Sequence, residues 1–205
     1  MSVKPHFIKD VAKQISTTEN IEQKCVISVA AGVTIAQIQS GLSASIATVR
    51  AMPNTPSLIG LGMTGAYASN EVSNEQRQQA NKILTSIGKV MWLDEEQKID
   101  ALLAVSGSGP AYFFYFMEAM QQKAVDLGFG ETDARLLVAQ TAIGAASMVN
   151  QSTVEISQLR HNVTSKGGTT QAALTTFEQG ELLTLVSKAM QAAQDRAKEI
   201  AQSNN

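Results

Sequence analysis

The sequence has little with which to staple itself or hold a metal. Cys25 is the only cysteine in 205 residues, which excludes an internal disulfide. It sits in the apolar run CVISVA, the setting of a buried structural thiol rather than a reactive one. The two histidines, His6 and His161, are far apart and have no cysteine at ligand spacing, so no metal site is indicated. No Ser–His–Asp order can be built on them, and the scattered carboxylates single out no acid–base pair. No apolar run approaches the ~18 residues of a membrane span. The opening MSVKPHFIKD lacks the hydrophobic stretch of a secretion signal. Excess charge is missing too: 16 Lys and Arg against 18 Asp and Glu leave a net −2, which argues against nucleic-acid and polybasic membrane partners. A cytoplasmic location is the default expectation.

What is present is 44% hydrophobic residues, an ordinary content with enough chain for one large domain or two small ones. The first half alternates in type. After Pro5, Phe7, Ile8, Val11 and Ile15 recur at helical spacing and predict a helix over 6–17. CVISVA (25–30), IATVRAM (46–52), MTGAYAS (63–69) and KVMWLD (89–94) read as strands. A short helix is expected over 34–42. Ser73 and Gln76 form a capping-box pattern for another that stops at Gly88. This alternation points to an α/β layer with a mainly parallel sheet.

Past Asp94 no convincing strand occurs. Helices are expected at about 95–105, 110–127, 132–150, 153–161, 169–179 and 181–202. Pro110 suits a first helical position, Thr132 and Ser152 or Thr153 suit N-caps, and Gly128 and Gly180 suit helix ends. The 132–150 segment carries Ala139, Ala142, Gly144, Ala145 and Ala146 on several faces, which implies close helix neighbours on several sides. The domain boundary is placed near 94–97, giving domains 1–96 and 97–205. The terminal Ser203, Asn204 and Asn205 are expected to fray.

One break in the helical half raises a chemical question. VTSKGGTT (163–170) is either a connection between helices or a cradle for an anion. Two glycines followed by two threonines at a helix start offer free N–H groups and hydroxyls.

In order along the chain stand VKP (3–5), SVAAG (28–32), RAMPNTP (50–56), SGSGPAYFF (106–114) and LRHNVTSKGGTT (159–170). This set resembles the pyrroline-5-carboxylate reductase family. The resemblance implies an α/β Rossmann-like domain for NADPH or NADH over 1–96. A helical dimerisation and substrate-binding domain follows over 97–205, forming a homodimer and leaving higher oligomers open. The implied reaction is reduction of 1-pyrroline-5-carboxylate, a small cyclic imino acid, to L-proline. The site would lie between the sheet and the helical domain, with helices from a second subunit. The family opens with a strand and a Gly-rich phosphate turn that this sequence lacks. GLGMTG (60–65) has similar spacing but runs into a strand. The resemblance therefore implies a chain that begins inside the Rossmann domain. Residues 1–205 alone are expected to dimerise with little NADPH affinity and negligible turnover, and a chain that only dimerises is the competing reading.

Carried over residue by residue, the resemblance puts Ser2, Val3, Lys4, Pro5, Val29, Ala30 and Ala31 against the cofactor, with Asn162 reaching it from the helical domain. Without the family, Lys4 is a solvated lysine beside a turn proline, and SVAAG is tight strand-to-helix packing. Ser165, Gly168, Thr169 and Thr170 would hold the substrate carboxylate, with the Thr170 hydroxyl facing the ring nitrogen as the catalytic group. Lys166 receives no role beyond its positive charge. Asn54 and Thr55 could donate to a ligand or simply belong to a rigid turn. Tyr112, Phe113 and Phe114 are expected in aromatic packing.

Overall fold

The four apolar runs read as strands lie side by side in one sheet, in a computed structural model that describes residues 1–42 and 45–203. The strands are β1 (Val26–Ser28), β2 (Thr48–Met52), β3 (Gly62–Ala68) and β4 (Gly88–Trp92), in the order β1-β2-β3-β4. β1 is parallel to β2 and β3 to β4, while β2 and β3 are antiparallel. The reversal follows from the connection. β2 and β3 are joined by a 3₁₀ turn at Thr55–Ile59 and by Gly60 at φ 74°, which is too short for a parallel crossover. Gly65 of GLGMTG lies inside β3, so no helix follows that glycine pattern.

Helices α1 (Ile8–Ile15) and α2 (Ile35–Gly41) cover one core made of Ile8, Ala12, Val26, Ala30, Val33, Ile38, Leu42 and Ile46. They approach closely at Gly41, where a Cβ would stand 2.7 Å from that of Ala12. Helix α3 (Asn74–Thr85) covers the second core of Val49, Ala51, Ala66, Ala80 and Leu84. Both α2 and α3 open with a reciprocal cap, Thr34 with Gln37 and Ser73 with Gln76. α3 ends at Thr85, not at Gly88. Gly88 instead opens β4 at φ 141°, directly across from Gly62, where any side chain would strike the neighbouring backbone at 2.0 Å.

Beyond β4 the described chain is helical: α4 (Lys98–Leu102), a π turn at Leu103–Gly107, α5 (Gly109–Asp126), α6 (Glu131–Gln151), α7 (Ile156–Asn162), α8 (Thr169–Gln179) and α9 (Leu182–Ser203). Pro110 is the second residue of α5 rather than the first. Gly130 precedes α6 in place of Thr132, and Glu155 precedes α7 in place of Ser152 or Thr153. The Ser152 hydroxyl accepts from Val154 N instead, which consumes it in a local turn. Gly128 has the expected left-handed conformation at φ 99°. Gly180 does not, because Glu181 takes that role at φ 52°.

Two compact units result, one formed by Met1–Pro110 with Ala189–Asn205 and the other by Ala111–Lys188. The first holds the sheet and nearly all the buried apolar side chains. In the second, Ala134 and Val138 are the buried apolar residues among those described, and Phe113, Phe114, Tyr115, Leu136, Ile143 and Leu183 are exposed. Phe113 and Phe114 are therefore not packed within their own chain, contrary to the expectation for SGSGPAYFF. No helix among the described residues is long and apolar enough to cross a membrane. Asn204 and Asn205, expected to fray, lie outside the described residues.

Candidate active site

In the sheet unit, two of the implied segments are neighbours. Met1 runs along the free side of β1, donating its amine to Ile27 O and accepting from Val29 N at 3.1 Å. The chain then turns at Lys4 and Pro5, where Phe7 N donates to Lys4 O. Ser2, Val3, Lys4 and Pro5 thus stand beside Val29, Ala30 and Ala31 at the carboxyl end of β1, where open α/β sheets bind ligands. Val3 packs on the α1–α2 core, whereas Ser2 and Lys4 are exposed. Ala30 is 4% exposed and belongs to that core, so it can meet a ligand only through its backbone. Val29 and Ala31 are half-buried, and Gly32 closes the turn at φ 69°. Small side chains and a bare turn fit a flat ring with its ribose. Burial pushes the Cys25 thiol up, in keeping with a structural role.

RAMPNTP works as a clamp. The Asn54 amide donates to Ser106 O and its Oδ1 accepts from Met63 N, both at 2.9 Å. This favours the rigid-turn reading of Asn54 over ligand donation. Four residues earlier Arg50, 3% exposed, is paired with Glu96 at 3.2 Å and Asp100 at 3.1 Å. Leu102 packs on Gly65, where a Cβ would stand 2.6 Å from it. The segment around α4 is thus pinned to β2 and β3 at three points. Sequence reasoning gave no role to this charge cluster. The available signal was an arginine in the middle of the apolar run IATVRAM, which demands buried partners.

In the helical unit, the turn between α7 and α8 holds the remaining candidates. Gly167 has φ 74°, and its N–H donates to the Gln171 side chain. Gly168 N donates to Ser165 O at 3.0 Å, and a Cβ at Gly168 would stand 2.5 Å from Ser165 Oγ. A side chain at Gly168 would have to displace the Ser165 hydroxyl. Gly168 is also the N-cap of α8 and supplies no side-chain cap. Among the described residues nothing accepts from the backbone N–H groups of Thr169 and Thr170, and the Thr170 hydroxyl has no partner. Both threonines and Ser165 are exposed. An exposed helix start with free donors and a favourable dipole is suited to an anion. Asn162, the last residue of α7, is exposed and accepts from Gln158 at 2.8 Å. Beside this turn Arg160, His161, Thr164, Gln171 and Glu178 line a cavity of about 180 Å³.

Residues 96–200 match the family model described as pyrroline-5-carboxylate reductase dimerisation. The pyrroline-5-carboxylate reductase of Vibrio alginolyticus is 47% identical over 201 residues, covering 98% of this chain and 74% of the relative. The chain belongs to the pyrroline-5-carboxylate reductase family. The Pseudomonas aeruginosa reductase is 43% identical, again over 98% of this chain and 74% of its own. Among solved structures, a reductase of this family from Coxiella burnetii superimposes with a TM-score of 0.92 at 43% identity, covering 97% of this chain and 73% of that one. A Plasmodium falciparum pyrroline carboxylate reductase with NADP bound gives a TM-score of 0.87 at 30% identity, covering 97% and 78%. These matches support the α/β sheet followed by a helical dimerisation region that the sequence suggested.

Proposed function

We propose that the chain reduces 1-pyrroline-5-carboxylate to L-proline with NADPH or NADH, the last step of proline biosynthesis, in the cytoplasm and as a homodimer. The carrying observation is the α7–α8 turn, with unsatisfied Thr169 and Thr170 N–H groups and a free Thr170 hydroxyl at a helix start. When bound, the nicotinamide cofactor supplies the hydride that reduces the imine carbon. Ser2, Val3, Lys4, Pro5, Val29, Ala30 and Ala31 hold its nicotinamide side, and Asn162 contacts it from the helical unit. Ser165, Gly168, Thr169 and Thr170 hold the substrate carboxylate, and the Thr170 hydroxyl orients the ring nitrogen. The imine is itself a base, so its nitrogen can arrive protonated without a strong protein acid. Functionally the chain divides into a cofactor domain over 1–96 and a dimerisation and substrate domain over 97–205.

The test is a direct assay of the purified protein. Proline should form from 1-pyrroline-5-carboxylate with matching loss of NADPH or NADH, in place of the negligible turnover that the resemblance alone implied for residues 1–205. No proline at saturating levels of either cofactor would sink the reading and leave a chain that only dimerises, which no present observation favours.

A further inference from the structure

The buried charges of the sheet unit have no part in the chemistry proposed above. Arg50 is 3% exposed, and its partners Glu96 and Asp100 retain 24% and 18% of their side-chain exposure. A buried ion cluster is weak evidence for stability, because apolar residues of similar volume commonly do as well. Its geometry shows what else it does. Glu96 Oε1 takes Arg50 Nη1 at 3.2 Å and also accepts from Ile35 N at 2.8 Å, 61 residues away in sequence. Ile35 is the first residue of α2 and ends the turn that follows β1. The cap built by Thr34 and Gln37 satisfies Thr34 N and Gln37 N but does not reach Ile35 N. One carboxylate oxygen therefore ties β2, the segment before α4 and the start of α2 together. The turn it holds carries Val29, Ala30 and Ala31, passes through Gly32 at a left-handed φ of 69°, and reaches α2 through Val33 and Thr34.

We infer that Glu96, held by Arg50, is a positioning residue for the cofactor: it fixes the start of α2 and through it the Val29–Thr34 turn. The inference rests on the cofactor reading above. Asp100 keeps the Arg50 guanidinium in place from its other side, so that Arg50 can hold Glu96 without swinging. A surface pair on the same segment, Lys98 with Asp94 at 2.7 Å and with Glu95 at 3.7 Å, serves as the control.

The variants are Glu96→Ala, Glu96→Gln, Arg50→Met and Lys98→Ala. Each is measured for NADPH affinity by fluorescence titration, for KM of both substrates, for Tm and for hydrogen exchange at Ile35 N–H. Losing a charged acceptor from a coupled network should raise the NADPH Kd of Glu96→Ala about fivefold or more. KM for the imino acid should stay within about twofold, because no contact to the imino-acid residues is removed. Exchange at Ile35 should quicken. Glu96→Gln keeps an acceptor and should recover most of the affinity, and Lys98→Ala should match wild type. Arg50→Met should weaken NADPH in the same sense and combine non-additively with Glu96→Ala. If Glu96→Ala does not fold, Glu96→Asp takes its place, since its shorter side chain cannot span both Arg50 and Ile35. A fall in Tm with NADPH affinity unchanged makes the cluster structural only and overturns the inference while leaving the function intact. A wild-type protein that binds neither NADPH nor NADH removes the cofactor reading and this inference with it.

Discussion

Leu84 in α3 is 3% exposed and Leu183 in α9 is 83% exposed, although both are leucines on long helices. The contrast runs through the two units. The sheet unit closes its cores with its own residues: α1 and α2 over one set and α3 over the other. The helical unit leaves large apolar side chains on α5, α6 and α9 in the open. Apolar surface on that scale marks an interaction site in a soluble protein. Its span matches a dimerisation family model, so the proposed homodimer is the natural cover. The sheet unit, although Leu58, Ile59 and Leu61 are exposed on it, buries two cores within one chain, whereas the helical unit buries only Ala134 and Val138 among its described apolar residues.

The largest expected effect breaks the first half of that contrast. Gly88 faces Gly62 across β3 and β4, and a Cβ there meets backbone at 2.0 Å with φ at 141°. Gly88→Ala should destabilise the sheet by about 2 kcal/mol or more, from clash and backbone strain together. Denaturation at several protein concentrations checks it: the difference from wild type should be the same at each. The second half breaks differently. Ala142 and Ala146 sit on α6, where Ala142 is half-buried and Ala146 exposed within one chain. Ala142→Phe or Ala146→Phe should nevertheless weaken assembly by about 1–3 kcal/mol through overpacking. Sedimentation should show dissociation at concentrations where wild type stays dimeric, and a wild-type monomer at micromolar concentration would refute the idea.

The same contrast explains what the sequence made legible. Strand runs such as CVISVA and capping pairs such as Ser73 with Gln76 are local signals, and each led to its element with small errors at the ends. The misplaced ends are also local. Glu181 took the left-handed turn expected of Gly180, and Ser152 spent its hydroxyl on Val154 rather than on a helix. Long-range ties were less visible. Nothing near Ile35 announces that its N–H meets Glu96, and nothing near Phe113 says that its cover is absent from its own chain. At the site, the glycines of VTSKGGTT gave the turn from local rules, since one takes φ 74° and the other packs against the Ser165 hydroxyl. The roles of Ser2, Val3, Lys4 and Pro5 came from the family resemblance alone.

A smaller effect belongs to chemistry rather than folding and should leave both units intact. If the free Thr170 hydroxyl orients the imine in the transition state, Thr170→Val should lower kcat/KM about tenfold, or about 1.4 kcal/mol. Thr170→Ser should retain most activity. Steady-state kinetics decide the matter, and a valine variant equal to wild type would reduce Thr170 to a residue of the helix start. Tm and dimer dissociation should be unchanged in both variants, which separates this site from the packing effects above.

The smallest effect is a pH dependence confined to the sheet unit. The Ser69 hydroxyl, the Glu71 backbone N–H, the Ser45 hydroxyl and the Gln39 amide together hold the Glu71 carboxyl at about 2, against a modest opposing effect of desolvation. A folded pKa below the unfolded one means that folding favours the charged form. The stability it contributes is present above the unfolded value near 4.5 and is lost as pH falls toward 2. Glu71 is exposed, so solvent screening limits the contribution to less than about 1 kcal/mol. Glu71→Gln cannot ionise and should be less stable than wild type at pH 6, with the difference shrinking steadily between pH 4.5 and 2. Urea midpoints for both proteins across that range provide the measurement. A constant difference would mean that Glu71 acts through its shape and hydrogen bonds alone.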